Sequence, residues 1–321
     1  MKNIVVCGGA SHDHLMTYDG NFEESLVRDN LQKVSVSYYA ESHETTFGGC
    51  ASNIAYSLSL FGIRPIIFTV LGNNSKRYTD WLNTHNINTD FLFFDNSQLC
   101  ASFYILTDNK SNQISFFSPN AMKNFEMCMS FSCFNPEEVF MAILAPNLPE
   151  RMLALANSAI SNNIAYLFDP GQSITALKSE DIIHVLKHSK GLIVNDYEFS
   201  LIINKTALDL PKLRELTDFI IVTKGKHGCD LYEKDSEPVN IPSELDALVV
   251  DPTGAGDAFR SGLLYGLYNN FDLQTSCKYG IASSLECIKY IGCQKHEFDL
   301  NKIHETLKRV FNLSQLPLNL N

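Results

Sequence analysis

Apolar and polar positions along the chain follow a repeating order. Short apolar or β-branched runs, typical of buried strands, alternate with longer segments in which apolar residues recur at helical spacing. The predicted elements lie at residues 4–7, 53–61, 65–71, 78–85, 139–144, 149–162, 165–168, 179–188, 191–194 and 219–223. This rhythm is typical of βαβ units and predicts a layered α/β domain, with a mostly parallel central sheet and helices on both faces.

Two stretches, residues 14–47 and 99–118, depart from this rhythm. Their alternation of polar and apolar positions, as in residues 34–38 and 102–106, predicts antiparallel strands of a small sheet over the larger domain. Turn-forming residues at 19–21 and 108–112 fit that interpretation. The predicted division is therefore a large unit of residues 1–13, 48–98 and 119–312 and a small β lid of residues 14–47 and 99–118. Residues after Asn312 are expected to be irregular.

Composition narrows the classes of function. The chain has 321 residues, 45% of them hydrophobic, which suffices for a large core. A formal net charge of −11 does not suit a protein that coats nucleic acid. The nine cysteines form no C-x-x-C pair and are expected to be buried free thiols of a reducing cytoplasm. The apolar run at 4–7 is too short for a secretory signal, and polar residues interrupt the apolar stretch 53–72, so a soluble cytoplasmic protein without membrane contact is expected.

The segment Asp251-Pro252-Thr253-Gly254-Ala255-Gly256-Asp257 precedes apolar residues at helical spacing. A glycine-rich turn that opens a helix leaves backbone N–H groups unpaired, and the helix dipole favours negative charge there. Gly254, Ala255 and Gly256 are therefore predicted to form an anion hole. Asp257, in the first helical turn, is placed to accept a proton from a hydroxyl that attacks phosphorus. The alternative is a tight turn followed by an ordinary first-turn acid.

This segment resembles the carboxy-terminal motif D-T-x-G-A-G-D of the ribokinase-like, or PfkB-type, family of carbohydrate and nucleoside kinases. Pro252 is a departure that is associated with the adenosine kinase branch. A second segment, Phe47-Gly48-Gly49-Cys50-Ala51-Ser52-Asn53, is similar to the family's Gly-Gly motif with a helix-opening Asn. The resemblance extends over nearly the whole chain, is strongest to bacterial adenosine kinases, and implies a ribokinase-like α/β fold with a small β lid.

The resemblance also implies where an acceptor would bind. Gly49 and Asn53 would contact sugar hydroxyls, with a tight turn and an Asn N-cap as the alternative. Asp13, after the first strand, would accept hydrogen bonds from two sugar hydroxyls, since a carboxylate has two oxygens to offer. Phe103 and Phe117 would lie against a purine, although both rings could equally belong to the core of the small sheet.

Other positions that match the family's motifs would contact the edge of the base or ATP. Gln172 would read the edge of the base, but Ser173 and Gly9 depart from the branch at purine contacts. Asn195 and Glu198 fit the family's N-x-x-E pattern, with Glu198 beside a hydrated Mg²⁺, or else a solvated first-turn acid. Thr223, Gly225 and Gly228 would form the loop for the nucleotide phosphates; the alternative is an ordinary β-hairpin.

Three further patterns give weaker evidence of a functional site. His184 and His188 share a helix face but have no third ligand for a metal, and Cys128 and Cys133 lack zinc spacing. Gly8-Gly9 after a strand is an incomplete dinucleotide motif, without a third glycine or a later ribose acid.

The expected function is ATP- and Mg²⁺-dependent phosphorylation of the 5′-hydroxyl of a nucleoside, with adenosine to AMP favoured, as in purine salvage. The alternatives are a kinase for inosine or guanosine, a kinase for a sugar such as ribose or fructose, and a catalytically idle nucleoside-binding protein. The expected partners are a small-molecule nucleoside and ATP, and a homodimer is left open.

Overall fold

The large sheet forms the centre of the molecule. The computed structural model describes residues 2–25, 36–124 and 129–312. Eight strands form this sheet in the order β14-β13-β12-β11-β10-β9-β1-β4, and the six from β12 to β4 run parallel. The antiparallel strands β13 and β14 complete one edge. Their bounds are β1 Asn3–Cys7, β4 Ile66–Phe68, β9 Val139–Leu144, β10 Tyr166–Phe168, β11 Gly191–Asn195, β12 Phe219–Thr223, β13 Cys229–Glu233 and β14 Val239–Ile241.

Helices cover both faces of this sheet because successive strand residues point to opposite faces. Val5 and Cys7 of β1 belong to the core on the side of α4 to α7, whereas Ile4 and Val6 belong to the core on the side of α2, α3, α8 and α9. The helices are α1 Phe22–Ser25, α2 Cys50–Leu60, α3 Lys76–Thr84, α4 Pro149–Ser161, α5 Ser179–His188, α6 Asp196–Thr206, α7 Leu210–Leu216, α8 Ala255–Tyr268, α9 Leu273–Cys287 and α10 Leu300–Phe311. The predicted layered α/β fold is confirmed.

A separate four-stranded sheet, which we call the lid sheet, has the order β3-β2-β7-β8. Its strands are β2 Ser11–Thr17, β3 Ser42–Gly48, β7 Ala101–Thr107 and β8 Gln113–Ser118. A third sheet pairs β5 Val70–Gly72 with β6 Phe93–Asp95. Strand β2 begins at Ser11, so it crosses the predicted boundary at residue 14, and the division into a large unit and a lid stays a prediction.

The small sheet departs from expectation in two places. Antiparallel pairing was correct for β2 with β3 and for β7 with β8, but β2 and β7 are parallel. The chain passes through the large layer between β3 and β7 and re-enters the lid sheet in the direction of β2. The strand expected at 34–38 is also wrong where it can be compared, because residues 36–40 are irregular, while Val34 and Ser35 lie outside the described residues, as does the tail after Asn312.

The predicted hairpin turn between β7 and β8 is present. The Oδ1 atom of Asp108 accepts hydrogen bonds from the backbone N–H groups of Lys110 and Asn112, at 2.9 and 2.8 Å. No helix within residues 2–25, 36–124 and 129–312 has both the length and the apolarity to cross a bilayer.

Candidate active site

A cleft of about 300 Å³ opens at the carboxyl edge of the large sheet. Parallel strands present their carboxyl ends at one edge, where open α/β sheets usually bind ligands. The residues that follow β9, β10, β11 and β12 meet there with the amino-terminal turns of α2 and α8. The lining residues are Cys50, Pro146, Asp169, Gly171, Gln172, Asn195, Glu198, Thr223, Gly225, Gly256, Asp257 and Arg260.

The glycine-rich turn opens α8 as predicted. Gly254 caps the helix with φ +81°, a left-handed conformation that glycine adopts without a steric penalty. Within the described residues no acceptor takes the N–H groups of Gly254, Gly256 and Asp257, whereas the N–H of Ala255 donates to the Pro252 carbonyl at 3.2 Å. Free amides at a helix N-terminus attract anions. The amides of Gly254, Gly256 and Asp257 are therefore the available donors, and that of Ala255 is already used in the turn.

The side chain of Asp257 hydrogen-bonds to Asn53. The Asn53 Nδ2 atom donates to Asp257 Oδ2 at 2.8 Å. Burial raises the pKa of Asp257 to about 6, against the opposing effects of Asn53 and Arg260. Asn53 lies in the body of α2 and its amide does not cap the helix, because Gly49 is the N-cap residue. The motifs around residues 49 and 257 thus form one site.

A buried ion pair behind Asp257 was not predicted. Arg260 donates from Nε and Nη2 to the two carboxylate oxygens of Asp169, both at 2.7 Å, and from Nη1 to the Gly256 carbonyl at 3.1 Å. The two side chains are only 8% and 2% exposed. This bidentate pair fixes the first turn of α8 to the end of β10. Arg260 lies one helical turn after Asp257, and that spacing was the available sequence signal.

Asn195 and Glu198 form a capping box at the start of α6. Glu198 Oε2 accepts from the Asn195 backbone N–H, and Asn195 Oδ1 accepts from that of Glu198, both at 2.8 Å. Glu198 is therefore more than a solvated acid, and burial raises its pKa. It also lines the cleft. Only Oε2 of its two carboxylate oxygens is used by the box, so Oε1 can contact a magnesium-bound water, as suits a cation that keeps most of its waters.

The loop after β12 is the short connection of a β-hairpin. Thr223 pairs with Cys229 across the antiparallel strands β12 and β13, and residues 225–227 form a single 3₁₀ turn. Thr223 and Gly225 line the cleft. Gly228 is absent from this lining, and a Cβ atom there would collide with the Ile241 carbonyl of β14. The hairpin interpretation is thus correct for the backbone, while Thr223 and Gly225 still face the cleft.

Asp13 lies on the lid sheet in register with both predicted aromatic residues. It pairs with Phe103 across β2 and β7, and Phe103 pairs with Phe117 across β7 and β8. Residues in register share a face of a sheet, so one row carries the carboxylate and then two rings. The ring centroids of Phe103 and Phe117 are 6.5 Å apart. Phe117 is 51% exposed, which does not fit a core residue of the small sheet.

The Asp13 carboxylate is packed closely against β3. Burial raises its pKa to about 6, and the Ser11 hydroxyl donates to its Oδ1 atom at 2.7 Å. A Cβ atom on Gly48 would overlap the carboxylate, so only glycine fits beside it. Asp13 and Asp257 both contribute to the raised pKa of the Cys293 thiol, whose first cause is burial. Both carboxylates therefore act electrostatically on the same buried thiol.

The remaining predicted residues take different places. Gln172 is exposed in the short 3₁₀ helix Gly171–Thr175 and lines the cleft beside Asp257. His184 Nε2 lies 2.7 Å from Asn157 Oδ1, and no cluster that could hold a metal occurs in the described part of the chain. The described cysteines are free, but Cys133 is exposed and Cys50 partly so, which corrects the expectation that all are buried. Cys128 lies outside the described residues.

Comparison with known proteins gives consistent matches over most of the chain. A family model described as pfkB family carbohydrate kinase matches residues 1–298. The nucleoside kinase of Methanocaldococcus jannaschii is 31% identical over 311 residues, which cover 96% of this chain and 98% of that relative.

Two solved structures of the Burkholderia thailandensis nucleoside kinase share the fold. The complex with inosine has a TM-score of 0.85 at 26% identity and covers 97% of this chain and 99% of that chain. The complex with ADP-inosine has a TM-score of 0.83 at 27% identity and covers 98% and 99% of the two chains.

Proposed function

Since the chain belongs to the pfkB family of carbohydrate kinases, we propose that it transfers the γ-phosphoryl group of ATP to the 5′-hydroxyl of a nucleoside, with adenosine as the favoured acceptor. As a member of this family the chain is an ATP-dependent kinase, and its acceptor is the part that we infer. The nucleoside kinases of M. jannaschii and B. thailandensis support a nucleoside, and the second binds inosine and ADP-inosine.

The observation that carries the choice of a nucleoside is the row of Asp13, Phe103 and Phe117 across the lid sheet. A nucleoside has hydroxyl groups on its sugar and a flat apolar base beside them, in the same order as the carboxylate and the rings. Base–aromatic stacking contributes about 1–3 kcal/mol per base. A free sugar has no flat base to stack on these rings, and therefore the row favours a nucleoside over ribose or fructose.

In the proposed mechanism Asp257 accepts the proton of the 5′-hydroxyl as that oxygen attacks the γ-phosphorus. The bond from the γ-phosphorus to the bridging oxygen breaks, and its electron pair leaves with ADP. With a pKa of about 6, Asp257 is largely ionised at neutral pH and can act as a base. The free amides of Gly254 and Gly256 stabilise the charge on the transferred phosphoryl group.

Asn53 and Asp13 position the acceptor in this scheme. Asn53 holds the Asp257 carboxylate through Nδ2, and Asp13 accepts hydrogen bonds from the sugar hydroxyls. Thr223 and Gly225, which line the same cleft, would contact the phosphates of ATP. Glu198 would hold Mg²⁺ through water, and the ion would neutralise charge on the ATP phosphates.

The Phe103 and Phe117 rings do not select adenine over hypoxanthine by their chemistry, because they carry no polar group. We favour adenosine because of the motif resemblance, and inosine and guanosine are the alternatives. Gln172 is the proposed reader of the base edge, since its amide can both donate and accept. A catalytically idle binding protein is the alternative outside enzymes, and Asp257 with the free amides of α8 argues against it.

The test is ADP production from MgATP by the purified protein with adenosine, inosine, guanosine, ribose and fructose, each supplied separately. We expect nucleoside-dependent ADP with an equal amount of nucleoside monophosphate, and the largest kcat/KM with adenosine. A larger kcat/KM with inosine would make inosine, rather than adenosine, the favoured nucleoside. Efficient turnover of a free sugar would contradict the nucleoside proposal, and no turnover with any acceptor would favour the idle binder.

A further inference from the structure

Gln294 is a buried amide behind the proposed base, only 3% exposed. It follows α9 in the chain and was not predicted as a site residue. Its Nε2 atom donates to Asn53 Oδ1 at 2.9 Å and to the Tyr78 hydroxyl at 3.2 Å. Its Oε1 atom accepts from Trp81 Nε1 at 3.0 Å. These contacts join Trp81, Gln294, Asn53 and Asp257 in one hydrogen-bonded chain, which we call the amide relay.

The direction of the amide relay follows from its first member. An indole N–H can only donate, so the Gln294 atom facing Trp81 must be the oxygen. The Gln294 nitrogen then faces Asn53, so the Asn53 atom that receives it must be an oxygen. The Asn53 nitrogen is left for Asp257. Either amide group could be rotated by 180° to exchange its oxygen and nitrogen. The hydrogen bond from Trp81 fixes the orientation of both amides.

Tyr78 gives an independent check on the orientation of Gln294. Its hydroxyl has one proton, which it directs to the Gly48 carbonyl at 2.6 Å or to the Ser52 hydroxyl at 2.5 Å. The Tyr78 oxygen is then an acceptor for Gln294 and not a donor, which again requires the Gln294 nitrogen on this side. The Tyr78 hydroxyl therefore agrees with the orientation that Trp81 sets.

We propose that Gln294 is a positioning residue for phosphoryl transfer, which holds the Asn53 amide with its nitrogen toward the Asp257 carboxylate. The inference rests on the proposed role of Asp257 as the base. With the amide turned over, Asn53 would place its oxygen against the carboxylate, which disfavours the ionised form that accepts the proton. Gln294 touches neither reacting group and acts only through Asn53.

Other groups near Asp257 also bear on its ionisation. The charged and titratable groups that face it are Arg260 of its own helix, Asp169 after β10, and the thiols Cys50 of α2, Cys287 of α9 and Cys293 of the following segment. Arg260 favours the carboxylate and Asp169 opposes it, and the two are themselves paired. The Gln294 side chain hydrogen-bonds to none of these groups, although Cys293 precedes it in the chain, and its hydrogen-bonded route to Asp257 runs through Asn53.

The decisive variant is Gln294→Met, which keeps the approximate size of the side chain and adds no charge near Asp257 but removes the donor to Asn53. The measurement is kcat for nucleoside-dependent ADP formation from pH 5 to pH 9. We expect the acid limb of the profile to move to higher pH by about one pH unit, with near-normal kcat at pH 8.5. Gln98→Met makes the same substitution at an exposed position and should leave the profile unchanged.

Trp81→Phe is the second variant, for the case that Gln294→Met does not fold. It removes the indole donor that fixes Gln294, and the acid limb should move in the same direction by a smaller amount. A loss of kcat that is equal at every pH, with the acid limb unmoved in the folded variants, would overturn the inference. A wild-type profile with no acid limb, or full turnover by Asp257→Asn, would instead contradict the proposed base.

Discussion

Asn53 Nδ2 and Asp257 Oδ2 lie 2.8 Å apart although 204 positions separate the two residues in the chain. The contact is possible because α2 and α8 both begin at the carboxyl edge of the large sheet and pack on the same face. A hydrogen bond to the ionised form of an acid favours that form, whereas burial opposes it. The fold thus places one donor against the group whose ionisation the proposed reaction needs.

The first prediction concerns the base itself. Asp257→Asn keeps the shape of the side chain but cannot accept the hydroxyl proton, so kcat should fall by about 10²–10⁴-fold. Nucleoside affinity, measured by calorimetry, should change little. Asp235→Asn, on an exposed turn, is the matched control and should retain full turnover. Unchanged kcat in Asp257→Asn would remove Asp257 from the base role.

Much of the large unit was predictable from local pattern. The spans 139–144, 179–188 and 219–223 agree with β9, α5 and β12, because each is a continuous apolar run or an amphipathic helix of ordinary length. The lid sheet was harder to predict from local sequence pattern. Residues 36–40 alternate like a strand but are irregular, and the parallel pairing of β2 with β7 depends on the path of the chain between them.

The residues of the candidate site likewise include some that local sequence patterns predict and some that they do not. Motif residues such as Asn53 and Asp257 can be recognised in the sequence because the proposed reaction itself requires their residue types at that spacing. Asp169 and Arg260 were missed although both stand close to motif residues, since their pairing joins positions 91 apart. Gln294 was missed for the same reason: its role is set by contacts with α2 and α3, which no local pattern records.

The second prediction links the raised pKa of Asp257 to stability. A carboxyl whose folded-state pKa is about 6, above its unfolded value, stabilises the fold at pH below about 4, and this contribution is lost as the pH rises through 6. At pH 7 the buried carboxylate is therefore destabilising. A pKa difference of about two units corresponds to about 3 kcal/mol, so Asp257→Asn should raise the free energy of unfolding at pH 7 by about that amount, and the gain should shrink toward pH 4.5. Urea unfolding at both pH values measures it, and an equal change at both would contradict the linkage.

The third prediction concerns the buried pair of Arg260 and Asp169. Asp169→Ala leaves a buried guanidinium without its carboxylate, and the free energy of unfolding should fall by about 3–5 kcal/mol. Asp218→Ala breaks a pair with Lys190 in which both side chains are more than half exposed, at 63% and 55%, and should cost about 0–1 kcal/mol. Replacing both partners, Asp169→Leu with Arg260→Met, should recover part of the loss. Similar effects of Asp169→Ala and Asp218→Ala would contradict the structural role.

The fourth prediction separates a nucleoside from a sugar as the acceptor, and it uses the two faces of the lid sheet. Phe117→Ala and Phe103→Ala remove rings on the Asp13 face, so KM for adenosine should rise by about 5–150-fold, corresponding to about 1–3 kcal/mol of lost stacking. Phe116 is the matched control because it neighbours Phe117 in β8, points to the opposite face and is 67% exposed. Phe116→Ala should leave KM unchanged.

Any residual turnover of ribose should be equal in all three variants, since ribose has no base to stack. If Phe103→Ala and Phe117→Ala bind adenosine as well as Phe116→Ala does, the rings do not hold the base, and the row across β2, β7 and β8 no longer supports a nucleoside.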